Sequence, residues 1–218
     1  MEFASQIASL SVERRLALAY APASSRVLWL GLFALDARLG AVVRTAHEPL
    51  LAQIKLAWWR DELTKPAAVR ALGEPLLALL VGWSDQTTAL RALIDGWEVL
   101  LCDEPLSSDA MLQVADARAQ ACGGLAALLN LTGSIPEVER AARGWALAEL
   151  GAAISDPDQR ALAIGLNAQL DWRRARLSRE MRPLQVLYGL AARQRGRGSL
   201  IPGPIAGLYA VRLGLLGI

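Results

Sequence analysis

The chain has 218 residues, 54% of them hydrophobic and 20% charged, which excludes a disordered or collagen-like polymer and leaves one domain with a sizeable core. The net charge of +2 is unevenly spread: residues 171–218 carry nine arginines against Asp171 and Glu180, net +7, so the first 170 residues sum to −5. No stretch of about 18 residues is apolar, uncharged and free of helix breakers, which excludes a membrane span.

The chain reads almost throughout with helical period, and β-branched clusters and threonines are few. The first predicted helix runs from about Val12 to Ala21 and stops before Pro22. Ser24 or Ser25 is placed to cap the second, which reaches about Arg44. Glu48-Pro49 opens the third, with proline in the first turn, and this helix ends near Thr64. Further helices are expected at about 66–82, 86–102, 109–131, 136–154, 158–181, 183–195 and 204–217, with Asp156-Pro157 read as a cap followed by a first-turn proline. There is no linker and no repeat, so residues 1–218 are expected to form one all-α domain of nine or ten helices. Cys102 and Cys122 fall in apolar helical patterns and are expected to be buried, reduced thiols. The first residues lack the basic-then-apolar pattern of a secretory leader, and a cytoplasmic location is expected. The basic C-terminal quarter fits either solvated helix faces or peripheral contact with an anionic membrane, and the tail "SLIPGPIAGLYAVRLGLLGI" fits a surface-lying segment.

The stretch "LAWWRDEL" (56–63) sets two tryptophans beside three charges. On a helical wheel Leu50, Leu51, Ile54, Ala57 and Trp58 share one face, and Asp61 falls among them. Leu56, Trp59 and Leu63 form a second apolar face, and Lys55, Arg60 and Glu62 take the edges. The third helix is therefore expected to be central, with the two tryptophans in the core on opposite sides. The second helix repeats the anomaly: Asp36 sits on a face with Trp29, Leu32, Phe33, Gly40 and Val43. A buried carboxylate needs a cation, a proton or a metal. Asp36 and Asp61 either pair with an arginine or reach water near a helix end, or they point into a pocket. The helix at 109–131 lines up Asp109, Gln113, Asp116, Gln120, Gly123, Gly124 and Ala127. This face is solvent-facing, or packs closely on its glycines, or forms a cavity wall with a polar mouth and a slim depth. His47 is the only histidine, which excludes a Ser-His-Asp triad and a multi-histidine metal site. The run "RQRGRG" (193–198) fits an exposed turn better than a phosphate site, and no nucleic-acid partner is expected.

"RRLALAYAPASSRVLWLGLFALDARLGAVV" followed by "EPLLAQIKLAWWRDEL", then "ADARAQACGGLAALLNLTG" and "GWALAELGAAISD", together resemble the squalene/phytoene synthase family, in a branch of short members that includes relatives of a complex I assembly factor. The resemblance implies an isoprenoid-synthase-like helical bundle around a central cavity. Trp29, Phe33, Trp58, Gly123 and Gly124 would line it, and Arg26, Asp36, Asp61, Asp116, Gln120 and Glu149 are its candidate cavity or diphosphate-binding residues. Catalytic members hold Mg²⁺ on paired Asp-x-x-x-Asp motifs, because a spacing of four puts both carboxylates on one helix face. Here Gly40 stands four residues after Asp36, and Glu149 alone lies within the second helix, so Asp36 is the remaining candidate metal ligand. The expectation is a degenerate, non-catalytic member that binds a prenyl diphosphate, an isoprenoid lipid or a protein partner at a membrane surface. The alternatives are an active Mg²⁺-dependent prenyltransferase with a rearranged metal site, and a helical assembly protein with a filled core.

Overall fold

Helices begin where a side chain or a proline can close their first turn. Ser11, Ser107 and Asp156 each accept a hydrogen bond from the backbone N–H three residues on. Pro49, Pro75, Pro136 and Pro157 occupy first-turn positions. The structure is a computed structural model that describes residues 2–46, 48–101, 105–194 and Gly214. It contains α1 (Glu2–Ala8), α2 (Val12–Ala19), α3 (Ala23–Arg44), α4 (Pro49–Thr64), α5 (Pro75–Leu79), α6 (Thr87–Glu98), α7 (Ser108–Leu128), α8 (Ile135–Ala153), α9 (Pro157–Ala168) and α10 (Arg182–Gln194). No strand occurs among the described residues, and the fold is an all-α, single-domain bundle.

Several elements differ from the sequence reading. α1 was not anticipated. Neither Ser24 nor Ser25 caps α3: the helix starts after Pro22, and the Ser25 hydroxyl donates to the Glu180 carbonyl at 3.1 Å. The helix expected at 66–82 is broken into a 3₁₀ turn at Ala67–Val69, the short α5 and a 3₁₀ segment at Val81–Gln86, because Pro75 cannot continue a helix through Gly73. The helix expected at 158–181 ends at Ala168. Beyond it the chain is held irregularly against α10: the Gln185 amide donates to the Ala175 carbonyl and accepts from the Leu177 N–H, and the Tyr188 hydroxyl donates to the Arg173 carbonyl. Apart from Gly214, the helix expected at 204–217 lies outside the described residues, as do His47 and Cys102.

α7 packs against α6 and α8, α8 against α9 and α10, and α10 against α2; α3 packs against α4, α5 and α6. One continuous core runs from Leu10 through Trp29, Phe33, Trp83 and Trp145 to Leu190, and a smaller cluster of Met111, Ala115, Ala146, Leu147, Leu150 and Ala163 lies under α9. α6 and α7 approach closely at small residues: a Cβ on Gly96 would lie 2.3 Å from that of Ala117, and one on Gly124 would lie 2.5 Å from that of Ala89.

α4 is not central. It buries Ala52, Leu56, Trp59, Glu62 and Leu63 against α3 and α6. The other apolar stripe faces outward, with Leu50 65%, Leu51 53%, Ile54 57% and Trp58 39% exposed. Asp61 lies exposed on that outer side, so it is a solvated carboxylate rather than an inward one. Only Trp59 of the tandem pair belongs to the core.

Candidate functional site

Four helices each contribute one charged side chain to a single point. Arg14 is buried in α2 with Ala17 and Leu18, the residues three and four positions on. Asp36 is buried in α3 beyond Phe33. Arg118 lies in the alanine-rich buried stripe of α7, and Glu149 comes from α8. The Arg14 Nη2 donates to the Asp36 carboxylate and, at 2.9 Å, to that of Glu149. Arg118 pairs with the same two carboxylates, through Nε to Asp36 at 3.2 Å and through Nη1 to Glu149 at 2.8 Å. From α6, the Trp97 indole N–H donates to Asp36 Oδ1 at 2.6 Å. The result is a neutral ring of alternating charge. Aromatic faces enclose it: Arg14 sits 5.4 Å from the Trp145 ring centre and Arg118 5.5 Å from it, with Arg118 also 5.2 Å from that of Trp97, within cation–π range.

Burial alone would raise the Asp36 carboxyl, but the Arg118 and Arg14 guanidiniums and the Trp97 hydrogen bond outweigh it and hold the group below its ordinary value. For Arg14 burial opposes the charged form, and Glu149 and Asp36 more than offset it, so its pKa is raised. Cys122 lies just behind the ring, where burial, helped by the negative charge of Asp36, pushes its thiol up to about 12.

The ring separates two spaces of very different size. Behind it, between Phe33, Leu93, Cys122 and Trp145, the free volume is about 10 Å³, room for about one water molecule. In front lies a cavity of about 610 Å³, with Arg14, Asp36, Arg118 and Glu149 on one side and Leu10, Val43, Leu100, Leu106, Leu150 and Ile154 among its walls. Ser9, Ser11 and Arg44 add exposed polar groups to its lining. Arg44 extends over the Trp97 ring, 6.0 Å from its centre.

Of the candidates named from sequence, Asp36 and Glu149 meet in this ring. Asp116 and Gln120 instead line a separate shallow groove of about 350 Å³ between α6 and α7, where Asp116 accepts from Arg143. Arg26 is exposed and donates to the Ala19 carbonyl at 3.0 Å. Asp61 and Trp58 are on the outer face of α4. Trp29 and Phe33 are fully buried core residues, and the Trp29 N–H donates to the Glu180 carbonyl at 2.9 Å. Gly124 serves the close contact with α6, and Gly123 lies under the Glu139 side chain. Neither glycine lines the large cavity.

The residues at Asp36 do not fit Mg²⁺. The lone pairs of both its oxygens are directed at two guanidiniums and an indole, and Glu149 is held by the same two arginines. A hard cation there would have to displace both arginines. Asp61 and Asp116 do not converge on the site, and no group of three metal-ligating side chains occurs among the described residues.

Arg14, Arg118 and Trp97 were not singled out from sequence. A signal was present: Arg14 and Arg118 each lie on the apolar face of their helix, where an arginine needs a carboxylate. No helix among the described residues is long and apolar enough to cross a membrane. The chain matches no family model, no curated protein and no solved structure.

Proposed function

We propose that this protein is a non-catalytic relative of the squalene/phytoene synthases that binds a slim apolar chain, a prenyl lipid or prenyl diphosphate. The reading rests on one observation. The carboxylate that would hold Mg²⁺ in a catalytic member is neutralised by Arg14 and Arg118, at the side of a cavity of about 610 Å³ whose other walls are largely apolar. That volume falls within the range of small-molecule sites, about 300–1,000 Å³. The apolar walls offer a place for the chain. Arg44, which has no carboxylate partner among the described residues, offers a cation to an anionic head group without a bridging metal. The basic region from Arg173 onward makes an anionic membrane surface the place where such a ligand is taken up.

Calorimetric titration with a non-hydrolysable farnesyl diphosphate analogue, with and without Mg²⁺, tests this. Binding indifferent to Mg²⁺ and weakened by Arg44→Ala is expected. Mg²⁺-dependent condensation of prenyl diphosphates would overturn the reading in favour of an enzyme, and absence of binding in either condition would overturn the ligand. Flotation with anionic and neutral liposomes tests the membrane part; equal failure to bind both removes it.

A further inference from the structure

The chain between α9 and α10 is held extended by a side chain. The Gln185 amide donates to the Ala175 carbonyl at 2.9 Å and accepts from the Leu177 N–H at 3.3 Å, two groups that a neighbouring strand would bond. Successive side chains of an extended segment point to opposite faces, and burial follows that period. Ala175 is buried and Leu177 half-buried, while Arg174 and Arg176 are exposed. The two arginines therefore project together into solvent. Ser178 stays extended and leads into a 3₁₀ turn at Arg179–Met181, whose first residue is also exposed. Arg173 is engaged by Glu137 and Asp171. Arg174, Arg176 and Arg179 have no ion-pair partner among the described residues. Glu180 is the only acidic side chain from Trp172 to Ile218. Three free guanidiniums thus stand within six residues on a segment that packing, rather than ion pairing, holds in place.

The same end of the bundle carries apolar surface. The Ser25 hydroxyl and the Trp29 indole N–H both donate to the Glu180 carbonyl, which ties the start of α3 to the residue after Arg179. Val27, two residues after Ser25, is 46% exposed. Tyr20 precedes Ser25 by five residues, at most about 18 Å of extended chain, and Gly214 lies so close to the Tyr20 ring that a Cβ there would overlap it. Residues 199–218, to which Gly214 belongs, are mostly apolar and carry one charged side chain, Arg212. Free cations beside apolar groups match an anionic bilayer, where basic side chains meet the head groups and apolar ones enter the interface. Nucleic acid fits less well, because the nearby rings are used internally: Trp172 stacks on the buried Tyr188 at 5.0 Å, which leaves the arginines no free platform for bases. We infer that the extended segment carrying Arg174, Arg176 and Arg179 is the surface that docks this protein on an anionic phospholipid bilayer. The inference rests on the reading that the ligand is taken up at a membrane, and it names the side chains that make the contact.

Co-sedimentation with vesicles of phosphatidylcholine, alone or mixed with phosphatidylglycerol, tests it. The parent should bind the mixed vesicles only, and less as salt is added. Arg176→Glu should lower the partition coefficient at least about fivefold, and Arg174→Glu/Arg176→Glu/Arg179→Glu about a hundredfold or more. Lys55→Glu, the same charge change on the outer face of α4, should have little effect. The triple lysine variant should bind like the parent, since a bilayer surface asks for charge rather than guanidinium geometry. All variants should keep the parent's circular dichroism and its binding of the farnesyl diphosphate analogue, because these side chains are exposed and none lines the large cavity. A parent that binds mixed vesicles while the triple glutamate variant binds equally well overturns this surface and leaves membrane uptake standing. A parent that binds neither vesicle removes both. A parent that binds single-stranded RNA more tightly than mixed vesicles gives the segment to nucleic acid and overturns the inference.

Discussion

Arg14 and Glu149 lie 135 residues apart in the chain and meet at 2.9 Å in the fold. Their contact ties α2 to α8, and through Asp36 and Arg118 it also fixes α3 and α7 around the same point. Desolvating four charges is costly, and an apolar replacement of the whole ring could be as stable. Its structural consequence is alignment: four helices must bring these residues to one point for all four charges to be satisfied. The ring forms one side of the large cavity.

Removing a single member therefore leaves an excess charge in the interior. Asp36→Asn leaves two buried guanidiniums with only Glu149 to balance them, and a loss of about 3–5 kcal/mol in urea unfolding is expected. Glu149→Gln should cost less, because the Glu149 side chain is 25% exposed and solvent can screen what remains. Adding Arg118→Met to Asp36→Asn should recover part of the loss, since it removes the uncompensated charge. Stability within about 1 kcal/mol of the parent for Asp36→Asn would mean the ring is not a structural element.

The same ring gives stability a defined dependence on acidity. The folded state holds the Asp36 carboxyl below its ordinary value of 3.8, so on acidification the unfolded chain takes up this proton first. The contribution is complete well above pH 3.8 and is lost as pH falls through the lowered folded value. Urea midpoints measured from about pH 7 down to about pH 2.5 should fall more steeply at the acid end for the parent than for Asp36→Asn. Parallel curves for the two proteins would place the acid sensitivity elsewhere.

The outcome for α4 shows where periodicity stops being informative. The wheel separated its two apolar stripes correctly, but a stripe's hydrophobicity does not say whether a neighbour exists to cover it. Leu56, Trp59 and Leu63 found α3 and α6, whereas Leu50, Ile54 and Trp58 found solvent. Local signals fared better where they act locally: Glu48-Pro49 and Asp156-Pro157 open helices as read. Residues 169–178 carry helical spacing, but hydrogen bonds to Gln185 and Tyr188, 8 to 15 residues further on and so outside a helix's own bonding pattern, hold them in another conformation. Asp36 announced itself as a carboxylate on an apolar face. Its cations did not, because an arginine ordinarily reads as surface and the pairing of Asp36 with Arg118 spans 82 residues.

Cys122 supplies a chemical probe of the closed space behind the ring. Its thiol is pushed up to about 12, chiefly by burial, so the reactive thiolate is scarce at neutral pH. In a Cys102→Ser background, a thiol reagent at about pH 8 should leave the native protein unmodified and label it fully once urea unfolds it. Asp36→Asn should speed the reaction by loosening the ring. Rapid labelling of the native parent would show that the space behind the ring opens to solvent.

Two glycines should respond to the same substitution with opposite sign. In α9, Gly165 has open space where a Cβ would go, so Gly165→Ala should stabilise by about 0.5–1 kcal/mol through helix propensity and a less flexible unfolded chain. In α7, a Cβ on Gly124 would lie 2.5 Å from that of Ala89 on α6. Neither atom is the mobile end of a side chain, so the two helices must part. Gly124→Ala should therefore destabilise by about 1–3 kcal/mol despite the better propensity of alanine. Pairing it with Ala89→Gly returns the methyl to the opposite helix and should recover stability relative to the single variant. Thermal unfolding of all four proteins decides the matter. A stabilising Gly124→Ala would mean that α6 and α7 are not held at this distance, and the helix packing that carries Arg118 and Trp97 to Asp36 would need to be redrawn.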